Sequence, residues 1–433
     1  MHRLTRFQLT ALLLALLATL TLAFGWRGVD AMPPSVLSPS AIVGVRADSA
    51  PSFSGSAALQ HVNELSVGIG SRVAGSPAQD STHQYLVTQL QGMGYQTVLQ
   101  SFPITAYQDR GSKLTLGGAL GQSVSANTLV YSAAGAVEGE LVEAGLGRPE
   151  DYEDANAAGK IALVNRGDIR FADKVDAAAK AGVVAVIIAN NVPGSFNGSL
   201  IGLSAIPAVG VSQEDGAVLR QAIRAGGATI RVEVNATSAQ STGANVVATR
   251  AGGPKTLVIG AHIDSVAAGP GANDNASGTA TALELARVLA SRPTPYTVQI
   301  VGFDAEEVGL VGSSYFVSQL SDAEKQAIVA MVNFDMVGVG TESRAGGTDS
   351  LVRLAQAAGA QEGVSVGQLG DGLGGASDHA SFMRAGIPAL FVYRSNDPNY
   401  HSPNDRFEYV DAANLQIAGN LALDVIAALE RGE

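Results

Sequence analysis

Three apolar runs in the second half of the chain stop in the same way. TLVIGA (Thr256–Ala261) gives way to His262 and Asp264. VQIVGF (Val298–Phe303) gives way to Asp304, Glu306 and Glu307, and AIVAMVNF (Ala327–Phe334) to Asp335. Runs of this length suit buried strands, and helical patterns separate them: Thr279–Leu289, Gly312–Gln319, Ser350–Ala358 and, after IPALFVY, Ala412–Leu429. Repeated strand–helix alternation predicts an open α/β sheet with helices on both faces. In such sheets ligands bind beyond the carboxyl ends of the strands, where the loops converge. One acid pair at a strand end is ordinarily a solvated turn. Three strand ends carrying His, Asp and Glu in a chain that is only 15% charged point to one shared metal site.

Two further loops extend the pattern. In GPGANDNASGTATALELARVL (Gly269–Leu289), Asp274 precedes a helix, a position open to an N-cap or to a metal ligand. In NYHSPNDRFEYV (Asn399–Val410), Tyr400 and His401 share a loop with acids. The chain has only 6 His, and two of them fall in these acid-rich segments. It has no Cys, which excludes disulfides, thiolate nucleophiles and Cys–zinc sites, so any metal must be held by His, Asp and Glu. A net charge of −12 argues against nucleic acid or an anionic membrane surface as partner.

The remaining organisation follows from composition. Arg3 and Arg6 precede a long apolar stretch, so residues 1–31 read as an export signal or an N-terminal anchor, with Val29-Asp30-Ala31 as a small-x-small cleavage site. The working part is expected outside the cytoplasm: secreted, or in the cell envelope, with membrane anchorage as the competing form. Residues 32–55 are rich in Pro, Ser and Gly and read as a linker. Helical periodicity over Ala57–Gly94 is interrupted by the turn-rich GSRVAGSP (Gly70–Pro77), and Thr97–Ile104 reads as a strand. Between Lys113 and Val234, short strands (KIALVNRG, VVAVIIANN, IPAVGVS) alternate with the Ala-rich helix DKVDAAAKAG, and no His occurs. Asp168, Asp173 and Lys174 in this region read as surface ion pairs.

The series AHIDS, NDNASG, FDAEEVGLVGS, NFDMVG and YHSPND, in this order, resembles the di-zinc exopeptidase family of secreted bacterial aminopeptidases, and GSRVAGSP matches that family's early loop. The middle region resembles the protease-associated (PA) domain, through GKIALVNRGDIRFADKVDAAAKAGVVAVIIANN and IPAVGVS. These resemblances imply a three-layer α/β/α fold with a mixed, mostly parallel central sheet over residues 56–111 and 239–433, and a small β-rich PA domain inserted at 112–238. They imply two zinc ions per chain: His262 and Asp335 on one, Glu307 and His401 on the other, and Asp274 bridging them. Glu306 would be the general base on a water shared by the metals. Asp264 would hydrogen-bond the His262 ring, Tyr400 would donate to the developing oxyanion, and Asp378, His379 and Phe382 would lie at the substrate pocket. Asp274 would precede a cis peptide to Asn275. The implied reaction is removal of the N-terminal residue from peptides or proteins by a monomeric enzyme.

Rival readings each lack a feature. Ser377, Asp378 and His379 stand together, but sequence neighbours rarely form a triad and no G-x-S-x-G elbow occurs. No H-E-x-x-H helix motif is present. A catalytically silent scaffold would have lost ligands, whereas all five are here. Carboxypeptidase action needs a basic pocket, for which Arg384, Arg394 and Arg406 are the candidates; glutaminyl-cyclase action is the other family alternative.

Overall fold

The computed structural model describes residues 51–117, 121–370 and 377–432. The expected export segment lies outside these residues.

The N-terminal helices α1 (Gly55–Asn63) and α2 (Pro77–Gly92) flank the GSRVAGSP turn. Ser76 caps α2 by accepting the Gln79 N–H, and Pro77 occupies the first turn, where no amide donor is needed. A long strand β1 (Gln96–Leu116) follows, then β2 (Gln122–Val124), β3 (Asn127–Thr128) and β4 (Gly135–Glu143). Next come α3 (Pro149–Asp154), β5 (Ile161–Asn165), α4 (Phe171–Lys180), β6 (Ala185–Ala189), β7 (Ala208–Val211) and α5 (Gln213–Ala225). Strand β8 (Thr229–Arg250) returns antiparallel along β1. The chain continues with β9 (Lys255–His262), α6 (Gly278–Ala290), β10 (Tyr296–Phe303), α7 (Val311–Gln319), α8 (Asp322–Ala327) and β11 (Ile328–Phe334). It ends with β12 (Glu342–Gly347), α9 (Asp349–Gln361), β13 (Val366–Gln368), α10 (His379–Arg384), β14 (Ala389–Ser395) and α11 (Ala412–Arg431).

The main sheet runs β13-β12-β14-β11-β9-β10-β8. Its centre, β14-β11-β9-β10, is parallel, while β12 and β8 join antiparallel. The central strands are buried on both faces, as parallel strands between helical layers must be. Helices α1, α6, α9 and α11 pack their apolar residues into one core, and the aromatic cluster Phe303, Phe316 and Phe382 anchors the opposite one. Among the described residues α11 alone is long and apolar enough to cross a membrane, and its Leu415, Leu421, Val425 and Ile426 are part of the first core.

The inserted sheet, β8-β4-β5-β6-β7-β3, is itself parallel through β4–β7 and carries α3, α4 and α5. The junctions expected at 111/112 and 238/239 fall inside continuous strands, because β1 and β8 form one antiparallel ribbon that serves both sheets. Its pairing shifts between Asp109 and Ser112, a bulge at the expected junction.

One expectation for the insert is corrected. Asp173 does pair with Arg170 at the surface, but Lys174 is fully buried. Its backbone carbonyl accepts from the Tyr152 hydroxyl, and its ammonium donates to the Leu146 carbonyl. A long aliphatic stem lets a lysine cross apolar surroundings to reach a backbone acceptor.

Candidate metal centre and cleft

The loops after β9, β10, β11 and β14, with the turn before α6, bring His262, Asp274, Glu306, Glu307, Asp335 and His401 together. The carboxylate of Asp274 faces two ways. Its Oδ1 lies 3.2 Å from His262 Nε2, which is 3.4 Å from Asp335 Oδ1. Its Oδ2 lies 3.1 Å from His401 Nε2, which is 3.0 Å from Glu307 Oε2. The two oxygens of one side chain therefore each complete a separate His–carboxylate set.

These spacings suit a metal better than a hydrogen-bond network. Zinc held at about 2.0–2.1 Å by N and O donors in a tetrahedron puts neighbouring donors roughly 3.3 Å apart. Asp335 Oδ1, Glu307 Oε1 and His401 Nε2 are buried yet make no hydrogen bond. Buried polar atoms left in this state need a partner. Charge leads to the same conclusion: Asp264, Asp274, Glu306, Glu307, Asp335 and Asp378 outnumber the imidazoles of His262 and His401 and the Arg72 guanidinium, an excess of anions that divalent cations would offset.

The titration shifts follow from that crowding. Burial, then the neighbouring Asp274 charge, raises Glu307 to about 7. Burial raises Glu306 well above the carboxylate range, with Asp378, Glu307 and Asp335 adding to it. Burial opposes charge on His401, but Glu307 and Asp274 outweigh it and raise the imidazole to about 11. His262 is raised in the same way by Asp335 and Glu306.

Each loop is held by buried polar groups. Asp264 accepts the backbone N–H of Glu306 at 3.0 Å on one oxygen and that of Glu307 at 3.1 Å on the other. It thus orients the doublet itself. Its contact to His262 Nδ1 is the longer 3.5 Å, while its own carbonyl lies at 3.2 Å from that nitrogen. Ala305 turns the chain between strand and doublet with φ 60°. Asp304, the third acid of the run, faces away from the donor sets: it is fully buried and accepts from Gln79 (2.7 Å), the Ala244 N–H (2.8 Å) and His83 (3.2 Å). Asp405 accepts the N–H groups of Asn273 and Asp274 at 2.7 and 3.0 Å. The Asp274–Asn275 peptide is cis.

Arg72, in the GSRVAGSP turn, is buried and donates to the carbonyls of Leu65, Gly70, Ile263, Pro270 and Gly271. It ties the N-terminal turn to the segments on either side of Asp274. Nothing in the sequence pattern marks Arg72, His83 or Asp405 individually, and Asp304, expected among the strand-end acids of the metal site, is a structural brace. The turn around Arg72 and the YHSPND loop around Asp405 carry the signal, but the Ile263, Pro270 and Gly271 carbonyls and the Asn273 and Asp274 amides that they bind are distant in the chain.

A cleft of about 270 Å³ opens over the cluster, lined by Asp274, Glu306, Glu307, Asp335, Met336, Phe391, Tyr393, Asn396, Asp397 and Tyr400. Tyr400 stacks on the His401 ring at 3.8 Å and is half-exposed, which puts it at the rim. Asp378 and His379 are fully buried and do not line the cleft; His379 stacks at 4.5 Å on Phe391, which does. Phe382 is corrected from pocket wall to core: its ring packs at 5.9 Å and 5.8 Å from Phe303 and Phe316. Arg384, Arg394 and Arg406 donate to Ser381, to Gly340 and Ser343, and to Pro403; none is among the cleft-lining residues.

Comparison with known proteins places the chain in a family. Residues 245–426 match peptidase family M28, and residues 137–219 match the PA domain. Aminopeptidase YwaD of Bacillus subtilis (strain 168) is 33% identical over 438 residues, covering 94% of this chain and 92% of that protein. The structure of an aminopeptidase from Aneurinibacillus sp. strain AM-1 superposes with a TM-score of 0.79 at 34% identity, covering 87% of this chain and 94% of that one. BSAP, a zinc aminopeptidase from Bacillus subtilis, superposes with a TM-score of 0.72 at 30% identity, covering 88% and 96%. The chain belongs to peptidase family M28 and carries a PA domain between the two halves of its peptidase fold.

Proposed function

We propose that this enzyme is a di-zinc aminopeptidase that releases the N-terminal residue of peptides. The observation that carries the reading is the two-way carboxylate of Asp274, which completes one donor set with His262 and Asp335 and a second with His401 and Glu307. Those five side chains would hold two zinc ions. Zinc bound there supplies Lewis acidity, lowering the pKa of water and polarising a carbonyl.

The protein's own groups do the rest. Glu306 borders the cleft next to Glu307, with a carboxylate oxygen within 4.8 Å of donor atoms of His262 and Asp335 but in none of the 3.0–3.4 Å contacts, a position from which it would accept the proton of the attacking water and return it to the departing amine. Asp264 fixes the direction of that carboxylate by holding its backbone N–H. Tyr400 at the rim offers a phenol to the developing oxyanion. Met336, Phe391 and Tyr393 give the cleft an apolar wall suited to an apolar N-terminal side chain, and the acids opposite favour a free α-ammonium group. Among the described residues, those lining the cleft include no cation for a C-terminal carboxylate. Residues 56–111 with 239–433 form the peptidase, and 112–238 the insert, sharing the β1–β8 ribbon. The basic and apolar start of the chain supports export.

A panel of aminoacyl-nitroanilides, each free and N-acetylated, tests the reading. The zinc-loaded enzyme should cleave the free apolar derivatives and leave acetylated ones intact. Equal cleavage of both forms would remove the aminopeptidase assignment.

A further inference from the structure

The PA insert reaches one half of the metal centre directly. Asn197, in the segment between β6 and β7, donates its side-chain amide to the backbone carbonyl of His401 at 3.1 Å. The two residues are 204 positions apart, and Asn197 lies within the part matched to the PA domain.

What is held there is unusual backbone. His401 has φ 51°, the left-handed region that side chains bearing a Cβ disfavour, so its surroundings must maintain it. Within its loop Ser402 bonds twice to the Asn399 carbonyl and Asp405 N–H to the Ser402 carbonyl, while Asp405 ties the far end of the loop to the Asp274 turn. The amide of Asn197 is a contact to the His401 peptide from a different sheet. Asn197 is itself tied down. Its Oδ1 accepts from Asn127 of β3 at 3.2 Å, and the same Asn127 amide donates to the Phe196 carbonyl at 2.9 Å. Phe196 is buried in the insert's core, packed 5.3 Å from Phe171 with the Arg166 guanidinium 4.9 Å above its ring.

The same segment touches the loop of the catalytic doublet. Ile201 packs against Gly309, where a Cβ would lie 2.5 Å from its Cγ2 methyl. Gly309 has φ 119° and donates to the Glu306 carbonyl at 2.8 Å, so the contact bears on the turn that follows Glu306 and Glu307. Val308 packs into the insert's apolar core.

We infer that Asn197 is a positioning residue for the His401–Glu307 half of the metal centre, so that the PA insert sets the affinity of one metal position and not the other. The set built on His262 and Asp335 hangs from β9 and β11 of the central sheet, receives no bond from Asn197, and shares with the braced half only Asp274, whose backbone Asp405 holds separately. Partners beyond the direct ligands orient them, and their loss weakens metal binding. The inference rests on the two-metal reading above.

The test uses full-length enzyme and the variants Asn197→Ala and Asn197→Leu. The first truncates the exposed side chain. The second keeps its approximate shape without the amide. Zinc is removed by dialysis and returned in competition with a chromophoric chelator, giving an affinity for each position; thermal unfolding of the metal-free proteins is followed in parallel. One hydrogen bond lost at an exposed position corresponds to roughly a three- to tenfold effect. Both variants should therefore show one zinc position weakened by about that factor, the other at wild-type affinity, and unchanged metal-free unfolding. A KM close to wild type at saturating zinc, with activity lost at limiting zinc, should accompany it. Wild-type affinity at both positions would overturn the inference. Equal weakening of both, together with a lower unfolding temperature, would overturn it too, since that pattern marks a general structural role. Wild-type enzyme binding fewer than two zinc ions would instead refute the two-metal reading beneath it.

Discussion

Replacing Arg72 with Met removes every donor while keeping a side chain of similar length. The guanidinium serves five carbonyls: Leu65 at 3.2 Å, Gly70 at 3.0 Å, Ile263 at 3.0 Å, Pro270 at 2.7 Å and Gly271 at 2.8 Å. Burial lowers its pKa to about 10, against the pull of Asp405, Asp264 and Asp274, so it remains charged at neutral pH. The variant therefore strands buried acceptors and takes one cation from an anionic centre. Removing one member of a buried charged network costs about 3–5 kcal/mol, and for domains of 150–250 residues each kcal/mol lowers Tm by roughly 2–4 °C. Arg72→Met should melt roughly 6–20 °C below wild type. Zinc affinity should fall as well, because Pro270 and Gly271 lead directly into the turn that carries Asp274. Scanning calorimetry of metal-free and zinc-loaded protein measures both. A metal-free Tm within about 2 °C of wild type would show that the carbonyls find other partners and that Arg72 is not what joins these segments.

Three further outcomes follow. Glu306→Gln should retain zinc, measured by elemental analysis, and lose about 10²–10⁴-fold in kcat on an aminoacyl-nitroanilide; retained turnover would exclude it as the base. Phe382→Ala should cost about 3–5 kcal/mol in denaturant unfolding and leave substrate preference unchanged, because the ring fills core and not cleft. Metal-free protein should lose stability as pH rises from about 6 to 8: Glu307 and Asp378 titrate at about 7, above their ordinary values, so the folded state holds protons that the unfolded state has released. The favourable contribution of His401, raised to about 11, is complete below its unfolded value and declines above it, which reinforces the trend. Zinc replaces those protons, so the Tm gain on adding zinc should widen over the same interval; a gain that narrows with pH would contradict this.

The sequence made the site legible where local pattern and chemistry coincide. Apolar runs ending in His, Asp or Glu mark strand ends, and strand ends in such sheets converge, so His262, Glu307 and Asp335 could be grouped before any geometry was known. The supporting groups were opaque because their partners are distant. Asp304 looks like its neighbours in VQIVGFDAEE, yet it is a buried acceptor for Gln79, His83 and Ala244. That answers why acids crowd this strand end: one braces the sheet, and two face the cleft. Lys174 reads as a surface cation by charge, and only the position of the Leu146 carbonyl reveals it as buried. The β1–β8 ribbon runs through both sheets, so no composition change marks where peptidase gives way to insert. The resemblance assigns Asp264 to the His262 ring, whereas its carboxylate is used mainly on the amides of residues 306 and 307.

Anomalous diffraction at the zinc edge from crystals of the zinc-loaded enzyme would test the central claim most directly. Two peaks should flank the Asp274 carboxylate, one within bonding distance of His262 and Asp335, the other of His401 and Glu307, with Glu306 bonded to neither. A single peak, or a second one that does not touch Asp274, would contradict the account.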